Sequence, residues 1–152
     1  MNLNKNIVLI GFMGCGKTTF GKKLSRYFRC NFIDTDKYIE NKEHMTIPEI
    51  FAKKGEPYFR NLETEVCREV SNKKGIIIAT GGGIIKNKEN LNLLKKNGIV
   101  LYLKATPEHI YRNIEKDTSR PLLNGGDKME KIRSLMQERI PTYEKYADIT
   151  VQ

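Results

Sequence analysis

Residues 7–18 read Ile-Val-Leu-Ile-Gly-Phe-Met-Gly-Cys-Gly-Lys-Thr, and this stretch is the strongest indication of the fold. The apolar run at residues 7–10 is short and continuous, which is typical of a strand buried on both faces of a parallel sheet. Residues 11–18 then fit the pattern G-x-x-x-x-G-K-[ST] in full, and a helical pattern begins near Lys17. The stretch therefore predicts a phosphate-binding loop (P-loop) between a first strand and a first helix.

The chemistry of this loop suits a nucleotide with Mg²⁺. Its glycines let the backbone N–H groups point inward at phosphate oxygens, and the following helix adds its positive end. Lys17 is expected to reach the β- and γ-phosphates, and the hydroxyl of Thr18 is expected to ligate Mg²⁺. The alternative, a chance glycine-rich turn, does not explain the strand before it and the helix after it. The predicted ATP contacts here are Gly14, Cys15, Gly16, Lys17, Thr18 and Thr19.

Strand and helix patterns alternate along the rest of the chain. Two helical stretches are expected between Asp34 and the third strand, and Thr46 and Thr106 are expected to cap helices. This alternation predicts an α/β fold, a three-layer α/β/α arrangement with a five-stranded parallel sheet and ligands at the carboxyl ends of the strands. Strands after the first are expected at residues 31–33, 76–79, 99–103 and 149–151, and the last helix at about residues 128–146.

Length and charge narrow the class of protein. The 152 residues suit a single domain, residues 1–152, and the net charge of +9 is scattered along the chain. This scatter favours a basic solvated surface around an anion site over a nucleic-acid partner. No apolar run approaches the roughly 20 residues of a spanning helix, and the first strand leaves no room for a signal peptide. We therefore expect a cytoplasmic protein with no membrane partner, whose cysteines are free thiols.

Two acids follow the second strand. An extended backbone would point the carboxylates of Asp34 and Asp36 in the same direction. Beside a P-loop, one could serve Mg²⁺ through water and the other could accept a proton from a substrate hydroxyl. The third strand ends in Thr80 and glycines, so it supplies no such acid. This placement of the acids suits a compact kinase better than a GTPase.

Later positions are ambiguous when each is taken alone. If residues 60–63 are helical, Glu63 can hold the guanidinium of Arg60 in place. The alternative is a surface i,i+3 ion pair, which contributes little to stability and which the spacing alone favours. Arg139 is open to the same interpretation. Residues 81–83 are three glycines at the end of a buried strand, which indicates that a ligand approaches the backbone closely there.

The motifs together, in this order and over essentially the whole chain, resemble those of shikimate kinases. The resemblance implies a fold like that of nucleoside monophosphate kinases. It also implies transfer of the ATP γ-phosphoryl group to the 3-hydroxyl of shikimate, in the pathway to aromatic amino acids, by a protein compatible with a monomer. The motifs are Gly-Phe-Met-Gly-Cys-Gly-Lys-Thr at 11–18, Phe-Ile-Asp-Thr-Asp at 32–36, Gly-Glu-Pro-Tyr-Phe-Arg at 55–60, Gly-Gly-Gly at 81–83, Arg-Pro-Leu-Leu at 120–123 and Arg-Ile-Pro-Thr-Tyr at 139–143.

The resemblance also implies roles at the matching positions around shikimate. Asp34 would lie near the metal, through water, and Asp36 would bind substrate hydroxyls and act as the base. Arg60 and Arg139 would grip the shikimate carboxylate as bidentate forks, and the backbone of Gly82 would contact the substrate. The substrate-binding helical region would span about residues 35–73.

A lid loop at about residues 118–127 is implied in the same way. Arg120 would swing over the phosphates and stabilise the charge on the transferred group. Arg112 is the candidate for contact with adenine, although a helix-surface arginine accounts for it equally well. Relatives usually continue past the last strand with one more helix, whereas this sequence stops at Gln152. Either the chain is naturally short or the sequence is truncated, and nucleotide contacts or stability supplied by that helix would then be missing.

Two rival functions stay open. A kinase for another small hydroxylated substrate, such as gluconate or a nucleoside monophosphate, could share the P-loop and an acidic pair. A nucleotide-binding regulatory module or nucleic-acid-binding module could exploit the positive charge. The acid pair facing the P-loop argues against the second rival, because it would repel a phosphodiester backbone.

Overall fold

The computed structural model describes residues 3–115 and 127–152, which form a parallel sheet with helices on both faces. Its strands lie in the order β2-β3-β1-β4-β5, and every pairing is parallel. The expected five-stranded α/β/α fold is therefore confirmed. In chain order the elements are β1 (Asn6–Ile10), α1 (Lys17–Phe28), β2 (Phe32–Asp34), α2 (Thr35–Glu43), α3 (Ile47–Lys54), α4 (Glu56–Ser71), β3 (Ile77–Ala79), a 3₁₀ helix (Ile84–Lys86), α5 (Lys88–Lys95), β4 (Gly98–Leu103), α6 (Pro107–Ile114), α7 (Lys128–Tyr146) and β5 (Ile149–Val151).

The strand order reverses at β1, which lies between β3 and β4. The chain first builds one side of the sheet with β2 and β3, and then crosses to the other side with β4 and β5. Such a switch point leaves a crevice at the carboxyl ends of the strands, where ligands bind in open α/β sheets. The P-loop follows β1 at this edge, Asp34 ends β2 there, and the three glycines follow β3.

The core has two sides because alternate strand residues face opposite surfaces of the sheet. Val8, Ile78 and Val100 are fully buried on one side, against side chains of α2, α3, α4, α5 and α7. Leu9 and Ile77 lie on the other side, against the apolar stripe of α1. The strands therefore read as the continuous apolar runs that mark sheets covered on both faces.

Helix starts follow the expected caps. The Thr46 hydroxyl accepts from the N–H of Glu49 at 3.3 Å, and the Glu49 carboxylate accepts from the N–H of Thr46 at 3.1 Å. This is a complete capping box at the start of α3. Thr106 caps α6 by accepting from the N–H of His109 at 3.1 Å. Both predicted caps are confirmed.

The expectation of two helices between β2 and β3 is wrong, since three are present. The difference arises at Gly55, which has φ 87° and ψ 167°. These backbone angles lie outside the helical region, so α3 ends before this residue. Pro57 then lies in the first turn of α4, where its missing N–H costs nothing. A glycine followed two residues later by proline separates what would otherwise be one helical pattern.

The surface of the described residues carries few large apolar side chains. The exposed ones are Tyr27, Ile99 and Ile149, and the last two belong to the adjacent strands β4 and β5. Within residues 3–115 and 127–152, no helix has both the length and the apolar character needed to cross a membrane.

Candidate active site

The P-loop has the backbone conformation that its glycines predict. Gly14 has φ 79° and Gly16 has φ 96°, values that residues with a β-carbon rarely adopt. Gly16 is also the N-cap of α1, and no side chain caps that helix. The first N–H groups of α1 are therefore directed at the loop without a side-chain acceptor, which is the arrangement that binds phosphate at helix N-termini.

Lys17 lies against the backbone of the same loop and is only 9% exposed. Its Nζ donates to the carbonyl oxygens of Gly11 at 2.5 Å and Phe12 at 3.1 Å, and lies 3.8 Å from the Sγ of Cys15. Burial among these acceptors keeps the ammonium group inside the loop. Its positive charge thus lies beside the N–H groups that would face a bound anion.

Thr18 and Asp34 bring two oxygen ligands together beside the P-loop. The Thr18 hydroxyl donates to Oδ2 of Asp34 at 3.3 Å. Among the described residues there is no group of three or more His, Cys, Asp or Glu side chains that could hold a metal. Mg²⁺ is usually held by one or two protein oxygens together with water and substrate phosphates. A hydroxyl and a carboxylate next to a phosphate loop therefore fit Mg²⁺.

The prediction that Asp34 and Asp36 share an extended backbone is wrong. Asp34 is extended, but Asp36 lies in the first turn of α2. Asp34 is the N-cap of this helix, because its Oδ1 accepts from the N–H groups of Asp36 at 2.9 Å and Lys37 at 3.3 Å. Asp is a strong N-cap residue, so the chain turns into a helix directly after the strand. One oxygen of Asp34 thus starts α2 while the other faces Thr18.

The three glycines after β3 make room for side chains of the site. A β-carbon at Gly81 would lie 2.5 Å from Oδ1 of Asp36, and one at Gly83 would lie 2.4 Å from Nη1 of Arg60. Both distances are far shorter than any real β-carbon contact. Asp36 and Arg60 therefore occupy the space that side chains at these two positions would fill. The glycines serve this packing, and the ligand approach expected from the sequence stays a prediction.

The middle glycine connects Arg139 to the P-loop. The Nη1 of Arg139 donates to the carbonyl oxygen of Gly82 at 3.3 Å, and a β-carbon at Gly82 would lie 3.7 Å from Met13. Arg139 is 7% exposed, and its guanidinium carbon lies 5.5 Å from the centre of the Phe12 ring. The buried guanidinium thus lies between the P-loop and the glycines.

Arg60 is held by carboxylates on its own helix. Its Nη1 donates to Glu63 at 2.8 Å, and its Nε and Nη2 donate to Glu56 at 3.3 and 3.2 Å. Glu63 is 2% exposed, and burial raises its pKa while the adjacent Arg60 lowers it. The interpretation from spacing alone, a surface ion pair, is therefore wrong. Sequence analysis missed Glu56, although its i,i+4 spacing from Arg60 was a usable signal.

Arg112 lies on the other side of the P-loop. It is exposed on α6 and lines an open cleft of about 870 Å³. The same cleft is lined by Cys15 of the P-loop, so a nucleotide bound there could extend toward Arg112. The Nδ2 of Asn113 donates to the carbonyl oxygen of Gly14 at 2.6 Å, which ties α6 to the loop.

Thr19 and Arg120 are the two remaining predicted contacts with ATP. Thr19 is exposed in the first turn of α1. Arg120 lies outside the described residues, as does the expected lid loop except for Asp127, which caps α7.

All three cysteines are free thiols, as predicted, and burial raises the pKa of Cys67 to about 12.

Comparisons with known proteins agree with this geometry. The family model described as shikimate kinase matches residues 13–152. The shikimate kinase of Caldanaerobacter subterraneus subsp. tengcongensis is 51% identical over 147 residues, covering 97% of this chain and 85% of the relative. That of Thermoanaerobacter pseudethanolicus is 50% identical over the same length and coverage.

Solved structures give the same result. Shikimate kinase from Acinetobacter baumannii, in complex with shikimate, superposes with a TM-score of 0.93 at 41% identity, covering 97% of this chain and 83% of that one. A gluconokinase from Sinorhizobium meliloti superposes with a TM-score of 0.54 at 10% identity, covering 90% of this chain and 75% of that one, and shows the P-loop kinase fold alone. The gluconate rival thus shares only the fold, while the expected family is confirmed. The chain belongs to the shikimate kinase family of ATP-dependent kinases.

Proposed function

We propose that this chain transfers the γ-phosphoryl group of ATP to the 3-hydroxyl of shikimate, giving shikimate 3-phosphate and ADP. The observation that carries the proposal is the contact of three consecutive glycines with Asp36, Arg139 and Arg60, beside the P-loop. These contacts bring one acid and two guanidinium groups to a single surface. A carboxylic acid that also carries a hydroxyl is a ligand with the matching groups.

The nucleotide side of the site is the P-loop and the cleft beside it. The N–H groups of Gly14, Cys15 and Gly16 and the hydroxyls of Thr18 and Thr19 are the proposed phosphate contacts. Lys17 neutralises charge between the β- and γ-phosphates. Arg112 is the proposed adenine contact, supported by its place on the cleft wall with Cys15. Arg120 is proposed to cover the phosphates from the lid loop at about residues 118–127.

The proposed cofactor is Mg²⁺, held by the hydroxyl of Thr18 and, through water, by Asp34. When bound, it would neutralise phosphate charge during transfer. The two protein oxygens lie 3.3 Å apart, which supports their sharing one ion. Because Asp34 also caps α2, the carboxylate cannot rotate freely, and its second oxygen stays directed at Thr18.

Arg60 and Arg139 are the proposed clamp for the shikimate carboxylate. A guanidinium fork matches the geometry of a carboxylate, and two forks from α4 and α7 would fix the ring from different directions. Both groups are restrained before any substrate binds, Arg60 by Glu56 and Glu63 and Arg139 by Gly82. Restraint of this kind reduces the ordering cost of binding.

Asp36 is the proposed base. Its carboxylate lies directly against Gly81, on the surface where the backbone of Gly82 would contact shikimate. There it would orient the hydroxyl toward the phosphate and accept its proton. The protein supplies mainly positioning and charge neutralisation, since in-line phosphoryl transfer needs little covalent chemistry.

The domain organisation, cellular location and partners of the protein are proposed on the same grounds. We propose a single domain over residues 1–152, with the shikimate-binding region at about residues 35–73. The protein is proposed to act as a cytoplasmic monomer on ATP and shikimate, without nucleic-acid or membrane partners. The clamp, with Arg139 buried and Arg60 partly buried, and the acid beside it suit a small anion better than a polymer.

The test is ADP release by purified protein with ATP and Mg²⁺. Shikimate, gluconate and nucleoside monophosphates are compared as acceptors, and a reaction without acceptor gives the background. ADP release that depends on shikimate alone is expected. Turnover only with another acceptor would keep the P-loop kinase chemistry and refute shikimate as the substrate.

Asp36→Asn is the sharpest variant for the chemical step. Asparagine keeps the shape but cannot accept the hydroxyl proton, so we expect turnover to fall by about 10²–10⁴-fold. Binding of ATP should stay near the wild-type value, measured by calorimetric titration. An unchanged kcat would remove Asp36 from the role of base.

A further inference from the structure

The Tyr143 side chain has a buried hydroxyl with no hydrogen-bond partner. Tyr143 is 1% exposed, and no described residue lies in hydrogen-bonding geometry with its hydroxyl oxygen. Buried polar groups without partners destabilise the folded state, so each one in a native structure calls for an explanation. Replacing the hydroxyl by hydrogen would remove this defect without changing the ring.

The ring of Tyr143 is fixed firmly beside the active site. It stacks on Tyr102, with centroids 5.0 Å apart and ring planes at 22°. Tyr102 lies in β4 opposite Ile10, the residue directly before the P-loop. Tyr143 therefore connects α7 to the strand edge that carries the phosphate site.

Arg139 is the charged neighbour of this hydroxyl. It lies four residues earlier in α7, so the two side chains share one face of the helix. Burial raises the pKa of Tyr143, and the positive charge of Arg139 opposes that increase. Arg139 is thus near enough to interact with the hydroxyl, although its guanidinium does not meet the distance and angle of a full hydrogen bond to that oxygen.

The two clamp arginines are held in different ways. Arg60 is paired with two carboxylates, whereas Arg139 donates to the carbonyl oxygen of Gly82 and has no carboxylate within ion-pair distance among the described residues. A carboxylate would cancel part of the charge that attracts an anion. A phenol oxygen can fix a guanidinium group and leave its charge intact.

We propose that Tyr143 is a positioning residue for the substrate carboxylate. Its hydroxyl accepts a hydrogen bond from Arg139 when the guanidinium turns to bind that carboxylate, and so fixes the plane of the fork. The inference rests on the proposed role of Arg139 in the carboxylate clamp.

The experiment compares Tyr143→Phe with Tyr146→Phe, a matched change one turn further along α7. Loss of one hydrogen bond to a charged group should raise the KM for shikimate about tenfold in Tyr143→Phe. Its kcat and its KM for ATP should stay unchanged, and its melting temperature should be equal or higher because the unpaired hydroxyl is gone. Tyr146→Phe should leave the KM for shikimate unchanged.

A double-mutant cycle with Arg139→Ala separates the possible failures. If Tyr143 acts through Arg139, Tyr143→Phe should add no further loss in the Arg139→Ala background. A wild-type KM for shikimate in Tyr143→Phe, beside a raised KM in Arg139→Ala, would overturn the inference and leave the clamp intact. A wild-type KM in Arg139→Ala would instead refute the clamp. A rise only in the KM for ATP would assign the hydroxyl to the P-loop and also overturn the inference.

Discussion

Gly83→Ala tests whether Arg60 must stay where the structure holds it. A β-carbon at this position would lie 2.4 Å from Nη1 of Arg60, and ordinary contact begins at 3.4 Å, so Nη1 must retreat by about 1 Å. The backbone of Gly83, at φ −92° and ψ 4°, is open to alanine. The substitution therefore displaces the guanidinium without straining the chain.

The magnitude follows from the contact that this retreat breaks. A guanidinium group that retreats by about 1 Å would lose one of its proposed hydrogen bonds to the substrate carboxylate, and a hydrogen bond to a charged group contributes about 1.5–3 kcal/mol. That energy corresponds to roughly a 10- to 150-fold change in an equilibrium constant. We expect the KM for shikimate to rise by roughly 10- to 100-fold in Gly83→Ala, with a small change in the KM for ATP.

Initial rates of ADP release over a range of shikimate concentrations measure the effect. The control is the same substitution in an Arg60→Ala background, where alanine at position 83 meets no guanidinium and should add no further loss. Circular dichroism of both variants checks that they fold. If Gly83→Ala has the wild-type KM for shikimate, then the observed position of Arg60 does not matter for binding, and the reasoning is refuted.

Two further predictions concern stability. Burial raises the pKa of Glu63, so the folded state favours the protonated carboxyl. This contribution to the free energy of unfolding is fully present below the unfolded pKa of about 4.3 and is lost as the pH rises through the raised pKa. Urea unfolding should therefore show the wild type losing stability relative to Glu63→Gln as the pH rises from about 4.3, and a difference independent of pH would contradict this. Thr46→Ala should cost about 1 kcal/mol of unfolding free energy because it removes a full capping box. Thr106→Ala removes a single cap bond and should cost less, and the reverse order would be inconsistent with the box.

Several errors of the sequence analysis share one cause. The helix break at Gly55 and the turn into α2 after Asp34 depend on caps that compete with a plain continuation of the local pattern. Asp34 can extend a strand or cap a helix, and its neighbours alone do not choose between them. In the folded chain Asp34 is a helix cap, and the same carboxylate also accepts a hydrogen bond from Thr18 of the P-loop.

The P-loop, the parallel sheet and the helix caps could be predicted from the amino-acid sequence alone. Each of these is a short-range pattern whose residues lie within one or two elements, so spacing carries the information. Gly14 and Gly16 could be identified because the left-handed backbone they require is a local property.

The arrangement of the proposed shikimate-binding residues could be seen only in the folded chain. Asp36, Arg60 and Arg139 come from three different helices, and Arg139 meets Gly82 across 57 residues of chain. No local pattern reports such a contact, so Arg60 could be interpreted as part of a surface ion pair until Glu63 proved to be buried. The reason for the glycines after β3 is likewise visible only in the folded chain, because the atoms that exclude a β-carbon there belong to distant parts of the sequence.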